Sequence, residues 1–232
     1  MPPQPLLDHM SAAEPALTSD ETIEILGKLI NLSGKMRMLS HRTVLYVALE
    51  KYETPDFLSS HDKLGEALDK FCEIYKIFLV GNKTLAPRAL IEQLHRFGAM
   101  PSDRQEVIEQ FIFMARRVRK DPNAFKISEL CQYLDDHLII ELERLIDRVR
   151  TFLSHEVDAK LAAAEKTART VDKTLGMIED LALTVRMISL NASIEAKRAG
   201  LAGAGFDVIA REIQSISERS GEAARKIRIE LG

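Results

Sequence analysis

"ISLNASIEAKRAGLAGAGFDVIAREIQSISERS", Ile188 to Ser220, decides the fold. On both sides of its centre, apolar and small residues recur at alternating steps of three and four, the spacing of a helix lying along another helix. The centre, "AGLAGAGF" (Ala199 to Phe206), breaks that pattern, and Gly200, Gly203 and Gly205 permit a tight reversal. After the break, Phe206, Ile209, Ile213, Ile216, Ser220, Ala223 and Ile227 make one seam. Before it, Leu175, Ile178, Ala182, Val185, Ser189, Ala192, Ala196 and Ala199 make another. The spacing predicts two antiparallel arms with these seams in contact. Leu183, Met187, Leu190 and Ile194 lie off the seam and call for more helices, as in a dimer of hairpins.

Upstream of the reversal, no helix breaker other than Gly176 occurs back to about Lys126. A helical pattern that long argues for a coiled coil or extended bundle. Earlier, the chain reads as shorter helices. Thr18 and Glu21, at capping-box spacing, open the first, which runs to about Glu50 and stops at "YETPD". A second covers about Phe57 to Leu79 and stops at "VGNK". A short third follows Pro87 and ends near "FGAMP", and a fourth spans about Asp103 to Arg119 before "DPNAF". The final helix runs from about Phe206 to Leu231. The expected fold is all-α: a four-helix-bundle-like N-terminal domain continuing through a long helix into an antiparallel coiled-coil hairpin. The expected division is a flexible tail over residues 1–18, a helical domain over 19–150 and the hairpin over 151–232.

The 232 residues carry a net charge of -3 with both signs interspersed, which gives no reason to expect nucleic acid or an anionic membrane as partner. The one dense basic run, "ARRVRK" (Ala115 to Lys120), closes a helix, where cations suit the helix dipole. Cys72 and Cys131 stand apart without CxxC spacing and read as buried or half-buried thiols. His137 and Glu141 can share a helix face, which is a surface contact rather than a metal site; no metal or cofactor is expected. No apolar run reaches the ~20 residues that span a bilayer, and the N-terminus lacks the basic start of a secretory signal. A cytoplasmic protein without a membrane span is expected. No nucleophile–base pair, Gly-rich phosphate loop or paired-carboxylate motif argues for an enzyme.

The first helix holds an oddity. Ile23, Leu26, Ile30, Ser33, Arg37, Ser40, Val44 and Val47 follow coiled-coil spacing, so Arg37 stands where an apolar residue belongs. Ile25, Leu29, Leu32, Met36 and Leu39 form a second stripe, so the helix reads as buried on two faces. A buried guanidinium is costly unless paired. One resolution is an internal ion pair with an acidic side chain of another helix. The other is an anion pocket: Ser33, Ser40 and Gly34 leave room, and a guanidinium offers forked donors to a planar oxyanion. At a homodimer seam, two Arg37 side chains would meet and favour an anion between them.

"INLSGKMRMLSHR", Ile30 to Arg42, resembles the sensor motif of type IV pilus receptor-like domains and nitrate/nitrite sensor kinases, a pattern close to I-N-x-[AS]-G-x-x-R-M-x-S-x-R. Asn31, Gly34, Arg37, Met38, Ser40 and Arg42 match it. The resemblance implies a dimerising four-helix bundle that binds nitrate or nitrite between two copies of Arg37, helped by the backbone around Gly34. Asn31, Ser33, Ser40 and Arg42 complete the candidate anion site.

The stretch from about Ile178 to Ile227 is similar to the signalling tip of methyl-accepting chemotaxis proteins. Leu190, Asn191, Ala192, Ile194, Glu195, Ala196, Arg198, Ala199, Gly200, Gly203, Gly205, Phe206 and Val208 carry the likeness. It implies contact with a chemotaxis histidine kinase and its coupling protein, or with other receptor hairpins. Glu195 and Arg198 are then polar partner contacts, and Val208 and Ile209 lie near the coupling-protein surface. Leu201, Ala202 and Ala204 replace residues that are usually polar in the turn. Together the two likenesses imply a sensor that binds a nitrate-like anion and signals through its hairpin. The alternative is a helical scaffold or competitor in chemosensory assemblies, with no small-molecule ligand.

Overall fold

A computed structural model describes residues 17–51, 60–121 and 123–231. Most of the 1–18 tail, the "YETPD" stop and the start of the second helix near Phe57 lie outside the described residues. Seven α-helices are described: α1 (Ser19–Lys51), α2 (Ser60–Val80), α3 (Arg88–Arg96), α4 (Ser102–Lys120), α5 (Ile127–Tyr133), α6 (Ile139–Arg198) and α7 (Ala204–Leu231). No strand occurs among the described residues; Asn82 and Ala86 form an isolated bridge. The fold is all-α, as the periodicity indicates.

The capping box at the start of α1 forms. The Thr18 amide donates to Glu21 Oε2 at 2.8 Å, and the Glu21 amide donates to Thr18 Oγ1 at 3.3 Å. Gly81 and Gly98 take positive φ (83° and 82°) where α2 and α3 end, a conformation that costs glycine nothing. Packing divides the chain into two units, one up to Asp158 and the other from Ala159 onward, and α6 supplies residues to both.

In the first unit, α1, α2, α4 and the α5–α6 run share one core. Leu26, Leu29, Met36 and Leu39 of α1 join Leu64, Phe71 and Phe78 of α2, Ile108, Phe111 and Val118 of α4, and Leu130, Leu138, Leu142, Leu145 and Val149 of the last run. Each such side chain contributes roughly 1.5–3 kcal/mol by leaving water. Phe71 and Phe111 meet at a tilt, their ring centroids 5.4 Å apart. The α3 helix adds Leu90, Ile91 and Leu94.

The helix expected without a break from Lys126 contains a π-turn, Leu134–Leu138, between α5 and α6. The buried leucines explain it. Leu130, Leu134, Leu138 and Leu142 follow one another at steps of four. In an α-helix each such step drifts about 40° round the axis, and the wider winding of a π-turn keeps all four on the core.

In the second unit, the end of α6 and α7 form the hairpin, but not with the expected seams in contact. On α7, Phe206, Ile209, Ile213, Ile216, Ser220, Ala223 and Ile227 are all exposed. The buried line is its small-residue neighbour: Gly203, Ala210, Ser217, Gly221 and Ala224. On α6 the expected line is mixed. Leu175, Ser189 and Ala196 are buried, whereas Ile178, Ala192 and Ala199 are exposed. Small side chains let two backbones approach closely, and that contact leaves the bulky stripe facing outward. Ser189 and Ser217 turn their hydroxyls onto their own helices, donating to the carbonyls of Arg186 and Gln214 at 2.8 Å each. Arg228 ties the arms together, 2.9 Å from Asp172 and 3.0 Å from Glu179.

Candidate functional site

The motif helix α1 buries one broad face comprising Thr22, Leu26, Leu29, Ser33, Met36, Ser40, Thr43 and Val47. Arg37 falls at the edge of that face, not within it. This corrects the expectation of a buried guanidinium: the side chain is 49% exposed and lies 3.4 Å from Glu143 on α6. Ile30, Asn31, Gly34 and Arg37 of α1 face Glu143, Ile146, Asp147 and Arg150 of α6 across a groove of about 400 Å³. Four motif residues, Ile30, Asn31, Gly34 and Arg37, therefore line one groove.

The other motif positions stand apart from it. Ser33 and Ser40 are fully buried, and their hydroxyls donate to the carbonyls of Leu29 (2.9 Å) and Arg37 (2.7 Å). They keep the helix slim instead of offering donors. Arg42 donates to the Tyr46 hydroxyl at 2.8 Å and lies over that ring, 5.6 Å from its centroid.

Two cations and two carboxylates meet in the groove, for Arg150 is 3.5 Å from Asp147. Both pairs are solvent-exposed, worth about 0–1 kcal/mol each, so a ligand can exchange with either carboxylate at small cost. Gly34 is open: a Cβ placed there meets nothing within 4 Å. Packing within the chain does not require glycine here, although glycine costs a helix roughly 1 kcal/mol relative to alanine. The arginine that is truly buried is Arg104. Its Nε donates to Glu141 Oε2 at 2.9 Å, its Nη1 donates to the Ala99 carbonyl, and Glu141 also pairs with Arg144. Arg104, Ile108, Phe111, Ala115 and Val118 follow the same three-and-four spacing that singles out Arg37, so that signal was available in the sequence. Glu143, Asp147 and Arg150, spaced by four and three on α6, were legible only as a charged helix face.

At the hairpin tip a 3₁₀ turn, Gly200–Gly203, joins the arms, with Gly200 at φ 63°. Gly203 is fixed by contact, since a Cβ there would lie 2.0 Å from the Ala196 carbonyl oxygen. Ser193 donates to Asp207 across the turn, and Arg211 lies 2.8 Å from the same carboxylate. The Ser193 hydrogen bond, aided by the Arg211 charge, holds the Asp207 carboxyl below its ordinary range. Glu195 and Arg198 form an exposed pair at 3.2 Å on one arm; Val208 and Ile209 are exposed on the other. Leu201 is 99% exposed and Phe206 72%. The tip thus presents charge and bare apolar surface together.

Residues 147–231 match the methyl-accepting chemotaxis protein (MCP) signalling domain. The match takes in the hairpin and the α6 segment leading to it, and it stops short of the motif helix. Among curated relatives, the chain is 36% identical over 69 residues to "Chemoreceptor McpA" of Caulobacter vibrioides, covering 30% of this chain and 10% of that protein. It is 34% identical over 87 residues to "Methyl-accepting chemotaxis protein CtpH" of Pseudomonas aeruginosa, covering 38% and 15%. It is 36% identical over 62 residues to "Methyl-accepting chemotaxis protein I" of Escherichia coli, covering 27% and 11%. The chain therefore spans only a small part of the length of the relatives it matches. No solved structure matches it. The likeness to chemoreceptors thus lies in the C-terminal hairpin and the α6 segment before it. No described helix is long and apolar enough to cross a membrane.

Proposed function

We propose that this chain is a cytoplasmic sensor, with a ligand-binding domain over residues 19–150 and a signalling hairpin over 151–232. It binds a small oxyanion of the nitrate or nitrite type at Arg37 and passes the signal through the hairpin to a chemotaxis histidine kinase or coupling protein. The observation that carries this reading is the convergence of Asn31, Gly34 and Arg37 on one groove whose opposite wall is α6, the helix that also carries Glu195 and Arg198. Gly34, open where the chain itself needs no glycine, marks the face that a second chain approaches. In a homodimer, two such faces bring two Arg37 guanidinium groups to a shared anion. Ser33 and Ser40 act there as small neighbours, and Arg42 contributes positive potential. An anion that takes Arg37 from Glu143 changes what holds α6 to α1, which gives two helix arrangements with different ligand affinity, the minimum that signalling needs.

A second reading is favoured by one observation: in the single chain, Arg37 already has Glu143 as a counter-ion. The chain is then a ligand-free scaffold or competitor whose hairpin occupies chemosensory assemblies. A pull-down with purified chemotaxis kinase and coupling protein separates the two. The sensor reading expects nitrate to change the amount captured, with capture lost in Glu195→Ala/Arg198→Ala and the nitrate effect lost in Arg37→Ala. Capture that ignores nitrate favours the scaffold, and no capture removes the assigned partner.

A further inference from the structure

In the first unit, basic side chains gather at one end of a groove between α2 and α4. Against α4, α2 contributes Cys72 and Tyr75 to this groove of about 600 Å³. Along α4 the lining changes in order. Glu109 stands at one end, its carboxylate accepting from the Tyr75 hydroxyl at 3.1 Å. Ile112 and Phe113 follow, with Phe113 left 49% exposed. Arg116, Arg117 and Lys120 form the other end. Among the described residues, none of these three pairs with a carboxylate. Arg116 reaches only the Cys72 sulfur, at 3.7 Å, a weak acceptor. Arg117 lies over the Phe113 ring, 5.8 Å from its centroid. The chain as a whole is net negative, so this unpaired charge does not reflect an excess of basic residues. The C-terminus of α4 offsets part of it, yet a helix end carries only about half a charge against three cations.

We propose that this groove is a second ligand site, separate from Arg37, for a small organic anion: a planar or acyl body carrying a phosphate, sulfonate or carboxylate head. The head sits at Arg116 and Lys120, where guanidinium and ammonium groups give charge-assisted hydrogen bonds. The body lies on Phe113 and Ile112. Glu109, already holding the Tyr75 hydroxyl, excludes a second negative group from the far end. The volume suits a small molecule rather than a polymer.

Calorimetric titration of the full chain with phenyl phosphate, inorganic phosphate and phenol tests the proposal. Phenyl phosphate is expected to bind once per chain and more tightly than phosphate, and phenol is expected not to bind measurably. Arg116→Gln/Lys120→Gln is expected to weaken phenyl phosphate by about tenfold or more, the size of a lost charge-assisted contact. Phe113→Ala removes the preference over phosphate. All these side chains are exposed, and unchanged melting of the ligand-free variants establishes an intact fold. Equal affinity for phosphate and phenyl phosphate would mean an adventitious ion only. Absence of saturable binding, or unchanged affinity in the double variant, overturns the site. Binding of a poly-glutamate peptide without phenyl phosphate binding overturns it in favour of an acidic protein partner.

Discussion

Arg104 and Arg37 both sit on coiled-coil spacing among apolar residues, and the structure uses them differently. The Arg104 side chain is 6% exposed and locked to Glu141. Removing one member of a buried pair leaves the other uncompensated, at a cost of about 3–5 kcal/mol. Because Glu141 keeps Arg144, Arg104→Ala is expected near the lower bound, read as a lower midpoint of urea unfolding. Arg37→Ala breaks only an exposed pair and is expected to leave that midpoint within about 1 kcal/mol of wild type. Glu143 competes with the proposed anion for Arg37, so Glu143→Gln is expected to tighten nitrate binding several-fold; weaker binding would show that Glu143 helps to build the site. Spacing marks Arg37 and Arg104 alike, because it says where a side chain starts and not whether a partner reaches it. Arg37 lies one position past a buried methionine, Met36, and a long side chain at such an edge can reach water.

In the hairpin, the order of forces decides which stripe is buried. Both arms carry a small-residue line beside a bulky one, and the sequence shows both with equal clarity. The arms close on the small line because Gly203, Ala210, Ser217 and Gly221 admit a close backbone approach. Gly203→Ala places a methyl group into the Ala196 carbonyl, so it is expected to lower the melting temperature of the hairpin, whereas the same change at Gly205, where a Cβ meets nothing within 4 Å, is expected to be tolerated. Asp207 gives the turn a pH dependence. Its folded pKa is depressed, chiefly by the Ser193 hydrogen bond. The stabilisation it provides is therefore present above the ordinary carboxylate pKa and is lost as pH falls through the folded value. Ser193→Ala removes the main cause, so the Asp207 carboxyl is expected to titrate at higher pH by NMR, and an unmoved titration would remove Ser193 as that cause. The π-turn was legible only in hindsight: three successive four-residue steps between leucines are its trace, and helix-breaker analysis does not register them.

For the whole molecule, the unpartnered surface argues for a second chain. Phe206, Ile209, Ile213 and Ile216 present an exposed bulky stripe along α7, and a contiguous apolar patch of this kind suits an interaction surface. Light scattering is expected to give a dimer at micromolar concentration, and Ile209→Glu/Ile213→Glu is expected to shift it toward monomer; a wild-type monomer would contradict the assembly. The likeness to chemotaxis proteins was readable because the reversal needs particular glycines and small residues in a fixed order. The proposed anion rests on a resemblance around Arg37, and the groove's other wall, which comes from residues over a hundred positions later, was not legible. The most direct test of the central claim is calorimetric titration of wild type and Arg37→Ala with nitrate, nitrite and chloride. The account predicts saturable nitrate or nitrite binding at one anion per two chains, weak or absent chloride binding, and loss of all of it in Arg37→Ala with the fold intact. Absence of nitrate and nitrite binding to wild type, or equal affinity in the variant, would contradict it.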